Sequence, residues 1–141
     1  MRFMMLMFPG PKIEAGFLPD PEFFAEMMKY NEELQKAGVL LALEGLQLSA
    51  KGARITFRGG KPLVTDGPFT ETKEIIGGYW LIQVESKEEA LEWAKRCPAA
   101  DDEMIELRQV LEMSDFPEEI VEATKDSAAV VSAGLAQAKV A

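Results

Sequence analysis

Histidine is absent from this chain, and cysteine occurs once, at Cys97. The first absence excludes Ser-His-Asp and Cys-His catalytic arrangements and any histidine-ligated zinc or iron site. The second excludes an internal disulfide. Cys97, on the apolar face of a predicted helix just before Pro98, reads as a small buried hydrophobe, since no imidazole exists to activate it. Excess positive charge is lacking too: 15 Lys and Arg stand against 24 Asp and Glu, a formal net charge of -9. Binding a polyanion relies on clustered cations that release counterions, so neither nucleic acid nor an anionic membrane is expected as a partner. Long hydrophobic runs are missing as well. The apolar opening, Met1 to Phe8, is well short of the ~20 residues of a membrane span and short for a secretory core, which leaves the cytoplasm as the default location. No tight acidic motif suggests an all-carboxylate Mg²⁺ site, and no metal or cofactor is expected. What is present is globular: 141 residues, 48% hydrophobic, with eight Phe and two Trp, enough for one domain with a core that needs no staples.

The pattern along the chain predicts alternating elements. Arg2 to Phe8 reads as a strand apolar on both faces, with Phe3, Met5 and Met7 on one side and Met4, Leu6 and Phe8 on the other. A Pro/Gly loop over 9–19 leads to Asp20-Pro21, an N-cap followed by proline at the first helical position. Phe23, Met27, Tyr30 and Leu34 recur at helical spacing until Gly38, a stripe that reads as core. Val39 to Leu43 is a second strand. Ala53 to Arg58 and Pro62 to Thr65 form a hairpin across Gly59-Gly60-Lys61, with the proline suited to an edge. A long strand is expected over 75–85, with Trp80, Ile82 and Val84 facing one way and Tyr79, Leu81 and Gln83 the other. Ser86-Lys87-Glu88-Glu89 is a capping box that opens a second long helix, closed at Cys97-Pro98. Residues 104–112 read as the last strand, and the Ala-rich tail, 113–141, as partly helical from Glu118 to Thr124.

The order strand, helix, strand, inserted hairpin, strand, helix, strand is the split β-α-β pattern of ferredoxin-like α+β domains. Two helices cover one face of such a sheet. The apolar groups that the first strand, Tyr79 and Leu81 present to the other face need cover, and a second copy of the chain is the economical source, giving a homodimer with a cavity between two sheets.

The loop Val64-Thr65-Asp66-Gly67-Pro68-Phe69-Thr70-Glu71-Thr72-Lys73 concentrates the functional signal. Gly67 tolerates unusual φ, and Pro68 fixes its own φ and biases the residue before it, so the loop is expected to be stiff. Asp66 either organises the turn by accepting its backbone N–H groups or contacts a ligand.

This run, with Glu74, Gly78-Tyr79-Trp80 and the helix from Ser86 to Cys97-Pro98, resembles the YCII-related family in its DGPF-motif branch. Lys29 to Leu34, Ala37 to Leu40 and Ile105 to Arg108 also look like that branch, and the resemblance covers about residues 1–112. It implies a dimeric α/β-barrel of ferredoxin-like units. Some members are proposed to be enzymes through a His–Asp pair, and DGPF members often accompany extracytoplasmic-function sigma factors. Where close relatives often read Gly-Leu-His, this chain reads Gly45-Leu46-Gln47, and Gln47 can hydrogen-bond but cannot act as a general base.

Without histidine, candidate ligand-binding residues are Asp66, Arg108, Glu106, Tyr79, Glu71 and Gln47, with Lys73 beside them. Arg108 and Glu106 share a parity opposite Ile105 and Leu107, so they form either an ion pair or a two-pronged donor for an anionic small molecule in the dimer cavity. Tyr79 reads as an aromatic with a wet hydroxyl, and Glu71 and Lys73 as a solvated pair or a lid. Three functions follow: a small-molecule-binding or enzyme-like dimer, a non-catalytic regulatory module associated with sigma-factor signalling, or, by fold analogy, a lyase or isomerase with a carboxylate base.

Overall fold

The computed structural model describes residues 1–126; the remainder of the tail lies outside the described residues. The chain is a mixed α+β structure with two antiparallel sheets. Strands β1 (Arg2–Phe8), β2 (Leu40–Gly45), β5 (Gly78–Gln83) and β6 (Met104–Gln109) form a four-stranded sheet in the order β2-β5-β1-β6. This sheet is open at the β2 and β6 edges rather than closed into a barrel. Strands β3 (Ala53–Arg58) and β4 (Lys61–Asp66) form a separate two-stranded ribbon. Gly59 and Gly60, at φ +59° and +75°, make the turn that pairs Arg58 with Lys61, so the connection is two residues and β4 begins at Lys61 rather than Pro62.

The helices α2 (Pro21–Lys36) and α3 (Lys87–Lys95) lie on one face of the larger sheet. Both start where local chemistry directs. The Asp20 carboxylate accepts the Phe23 N–H at 2.9 Å, and the Ser86 hydroxyl accepts the Glu89 N–H at 3.1 Å. Gly38, at φ +73°, follows the end of α2. The buried core is Phe3, Met5 and Met7 of β1, Trp80, Ile82 and Val84 from the β5 segment, Tyr30 and Leu34 of α2, Val39 just ahead of β2, and Ala90 and Cys97 from the α3 side. Its polar atoms are satisfied: the Tyr30 hydroxyl donates to the Trp93 carbonyl at 2.7 Å, and the Trp80 indole N–H to Asn31 Oδ1 at 2.8 Å. Burial pushes the Cys97 thiol up to about 12 and the Tyr30 phenol above its usual range, so neither ionises near neutral pH.

Several boundaries differ from the sequence reading. The second strand is Leu40–Gly45 rather than Val39–Leu43, and the strand expected to reach Glu85 ends at Gln83. The expected 9–19 loop contains a single helical turn, α1 (Pro11–Glu14). The strand expected from Ile75 begins at Gly78, because a 3₁₀ turn occupies Thr72–Glu74 and the two glycines serve close packing: a Cβ would stand 2.6 Å from Pro9 Cγ at Gly77 and 2.9 Å from the Glu44 carbonyl oxygen at Gly78. The last strand ends at Gln109 rather than Glu112. The Val110 N–H still bonds to the Arg2 carbonyl at 2.9 Å, but the Glu112 N–H donates to Asp115 Oδ2 at 2.8 Å and so caps the turn that follows. A 3₁₀ turn (Met113–Asp115) and α4 (Glu118–Ala123) follow. No helix among the described residues is long and apolar enough to cross a membrane.

Candidate functional site

The Asp66-Gly67-Pro68-Phe69 turn docks on the segment Ser49–Gly52. Gly67 sits against the Ser49 backbone with no room for a side chain, since a Cβ there would fall 1.8 Å from the Ser49 carbonyl oxygen. The Gly67 N–H bonds to the Gly52 carbonyl at 3.0 Å, and the Phe69 N–H to Ser49 Oγ at 3.0 Å. Ser49 is itself buried; its hydroxyl and its N–H both donate to Glu14 Oε1 on α1, the N–H at 2.9 Å. The one-turn helix, the 49–52 segment and the turn are thus tied by a carboxylate, a hydroxyl and an amide. Glu14 and Ser49 carry this knot. The sequence reading missed both, because 35 residues separate them and neither belongs to a local motif.

The same contacts correct the reading of Asp66. The turn's N–H groups are taken by the Gly52 carbonyl and the Ser49 hydroxyl, Pro68 has none to give, and Asp66 stays exposed. The packing of Gly67, not the Asp66 carboxylate, seats this turn.

Beside the knot, at the root of the β3–β4 ribbon, lies a cleft of 440 Å³. Its walls hold the apolar side chains Leu46, Leu48, Phe69, Ile75 and Ile76 and as many polar ones, Gln47, Ser49, Lys51, Arg54 and Glu74. The Arg54 guanidinium carbon stands 3.9 Å from the centre of the Phe69 ring. Stacking on a ring face leaves the donors at the edge of the guanidinium plane available to a planar oxyanion. The ring is fixed in turn, because the Phe69 backbone is held by Ser49.

The six residues singled out from the sequence fall into three places. Gln47 lines the cleft. Tyr79, Glu106 and Arg108 share the sheet face turned away from α2 and α3, since Leu6 pairs with both Tyr79 and Glu106 and Met4 with Arg108. Asp66 and Glu71 are exposed on the loop and line neither. Arg108 and Glu106 do form an ion pair, at 3.4 Å, but the Arg108 side chain is 71% exposed within the single chain, where such a pair contributes less than about 1 kcal/mol. Arg2, on the same face, is held far more firmly: its guanidinium grips Glu112 with two bonds, 2.6 and 3.1 Å, and its side chain is 12% exposed. The hydrogen bonds from Arg2 hold the Glu112 carboxyl below its ordinary range. Among the described residues no group of three or more Cys, Asp or Glu could hold a metal ion.

These features define a small α+β domain with a preformed cleft at the root of a projecting ribbon. The chain belongs to the YCII-related domain family, whose model matches residues 1–114. It is also 32% identical over 76 residues to an uncharacterized protein of Rhizobium meliloti (strain 1021). That match covers 54% of this chain and 61% of the relative, less than two thirds of the relative's length.

Proposed function

We propose that this chain is a small-molecule-binding protein of the DGPF-motif branch, a ferredoxin-like unit that pairs into a homodimer and takes an anionic ligand with an apolar body into the cleft at the ribbon root. The observation that carries this reading is the Arg54–Phe69 stack at the edge of the cleft. Ligand sites are typically concave, mostly apolar and furnished with a few placed polar groups, and 440 Å³ lies within their usual size. Arg54 meets the anion, Lys51 adds charge, and the Gln47 amide orients a neighbouring polar group. The sequence had suggested Arg108 for the anion, but an exposed arginine already beside a carboxylate is the weaker anchor.

Binding is favoured over catalysis by the state of Ser49. This buried hydroxyl donates to Glu14 and accepts from Phe69 N–H, so its hydrogen-bonding capacity is committed to tying α1, the 49–52 segment and the turn together. The homodimer is supported by the half-buried apolar groups Met4, Leu6, Phe8, Tyr79 and Leu81 on the helix-free sheet face, which in a lone chain have no helix to cover them.

Thermal-shift screening against aliphatic and aromatic carboxylates, each matched with its neutral amide, tests the site. Carboxylates should raise the melting temperature and amides should not, and Arg54→Gln should abolish the shift while leaving the unliganded melting temperature near wild type. Equal shifts in Arg54→Gln and wild type, or no shift with any carboxylate, would remove the support for this cleft.

A further inference from the structure

The β3–β4 ribbon ends in two like charges. Arg58 and Lys61 flank the glycine turn and stand directly opposite each other in the ladder. They point to one face, which they share with Arg54, Thr56, Leu63 and Thr65, whereas the ribbon's one carboxylate, Asp66, pairs with Ala53 on the other face. From Lys51 to Thr65 the chain has four of its 15 cationic residues, Lys51, Arg54, Arg58 and Lys61, and none of its 24 carboxylates. Among the described residues neither Arg58 nor Lys61 has an ion-pair partner. Like charges directly opposite each other weaken a ribbon, and two strands alone are marginal in water, so the tip carries a repulsion that an anion beside the two cations would relieve.

The same ribbon leaves one edge open. The Gly67 N–H bonds to the Gly52 carbonyl at 3.0 Å, and the two-residue turn makes Arg58 and Lys61 a bonded pair. Ladder bonds therefore fall at the even positions of β3, and Ala53, Ile55 and Phe57 turn their N–H and C=O groups outward. No strand of the larger sheet takes them up. On the outer edge of β4, Pro62 stands opposite Phe57 and has no N–H to offer, which closes that side to a further strand. β3 has no proline, and Ile55 and Phe57 are 53% and 76% exposed. Its outer edge can accept one more strand, and only a polypeptide backbone can supply it. Charge then selects the sequence of that strand. Its side chains alternate between faces, so every second one lies on the cationic face beside Arg54, Thr56 and Arg58, where Asp or Glu is complementary. A second copy adding by the same edge would bring its own Arg54 and Arg58 onto that face, and like charge turns it away. The net charge of -9 on the whole chain acts weakly at the tip, because the ribbon is about 20 Å long and exposed charges are screened over ~8 Å at physiological salt.

We propose that the outer edge of β3 is a docking site for an extended segment of another protein that carries Asp or Glu at alternate positions. The segment binds as a third strand of the ribbon, with Arg58 beside its acidic residues and Lys61 one strand further on. Backbone pairing supplies the hold, and the cations choose an acidic segment over a neutral one. The site uses the edge and tip of the ribbon, so it does not depend on the ligand reading of the cleft at the root.

The test is fluorescence anisotropy of the full chain with a labelled peptide, Thr-Glu-Thr-Glu-Thr-Glu-Thr, and with a scrambled peptide whose Glu residues are adjacent. Two further forms of the alternating peptide are N-methylated, one at its Glu amides and one at its Thr amides. Third-strand docking predicts that the alternating peptide binds at least about tenfold more tightly than the scrambled one, and that binding weakens as KCl rises. One methylated form should lose binding and the other keep it, since alternate amides of a bound strand face β3. Ile55→Pro, and Arg58→Gln combined with Lys61→Gln, should each weaken the wild-type interaction at least about tenfold with circular dichroism retained. Proline is accommodated at Ile55 as at Pro62, both being outward positions; if Ile55→Pro nevertheless unfolds, the methylated peptides test the same edge on the wild-type chain. No binding up to about 1 mM peptide, equal affinity for the scrambled peptide, or undiminished binding of both methylated forms overturns the proposal. Inorganic polyphosphate or phosphatidylglycerol vesicles binding at least as tightly as the alternating peptide would give the cations to a polyanion without a peptide backbone and overturn it too.

Discussion

Gly67 and Asp66 stand side by side in the most distinctive motif of the chain, yet the structure gives them opposite weights. A methyl group on Gly67 would meet the Ser49 carbonyl oxygen at 1.8 Å, and the backbone atoms around it have no flexible end to move aside. Gly67→Ala should therefore destabilise the fold by about 3 kcal/mol or more, read from urea denaturation. Asp66→Ala removes an exposed carboxylate from a turn whose N–H groups already bond elsewhere, and should change stability by less than about 0.5 kcal/mol in the same assay. Glu112 offers a pH test. Its folded-state carboxyl is depressed by hydrogen bonds from Arg2, so its contribution is present above its unfolded pKa and is lost as pH falls through the folded value. Melting temperatures measured from neutral pH down through the carboxylate range should drop, and Glu112→Gln should flatten part of that acid limb. The drop in wild type and variant would be the same if the Arg2–Glu112 pair were irrelevant. The sequence marked this loop as special through Gly67 and Pro68 but could not say which atoms made it so, because Ser49 and Glu14 enter from distant parts of the chain.

Elements with their own start signals were legible. Helices α2 and α3 begin where Asp20-Pro21 and Ser86-x-x-Glu89 predict, since a cap is a bond between a side chain and an N–H three residues on. Asp20→Ala should cost about 1 kcal/mol in equilibrium unfolding, and Asp20→Asn much less, because the amide oxygen can still accept from Phe23. A cost for Asp20→Asn equal to that for alanine would mean charge, not the bond, carries the effect. The elements misjudged are those decided by a neighbour. The strand after the loop starts late because a 3₁₀ turn precedes it and Gly77 packs against Pro9, and the last strand stops early because the Glu112 N–H is taken by Asp115. The single turn of α1 is invisible to periodicity, being four residues long, yet it supplies Glu14 to the candidate site.

At the scale of the molecule, apolar side chains remain on the sheet face turned away from α2 and α3 and on one side of the β3–β4 ribbon. Were the dimer of the proposed function to use that sheet face, Leu6→Asp should raise the dimer dissociation constant at least about tenfold, by sedimentation velocity, with retained circular dichroism. The same variant, if dimeric at wild-type strength, would exclude the face. What the sequence determined by itself is whatever depends on near neighbours: the alternation that buries Phe3, Met5 and Met7, the caps of both long helices, the glycine turn of the hairpin, and the absence of histidine chemistry. Tertiary structure alone decided that Arg54 lies over Phe69, that Ser49 spends its hydroxyl on Glu14, that Arg108 stands in the open, and that the hairpin pairs with no strand of the larger sheet. Each of these is a contact between residues many positions apart, or the lack of one. Such contacts are set by the packing of whole elements, whose direction no local pattern encodes.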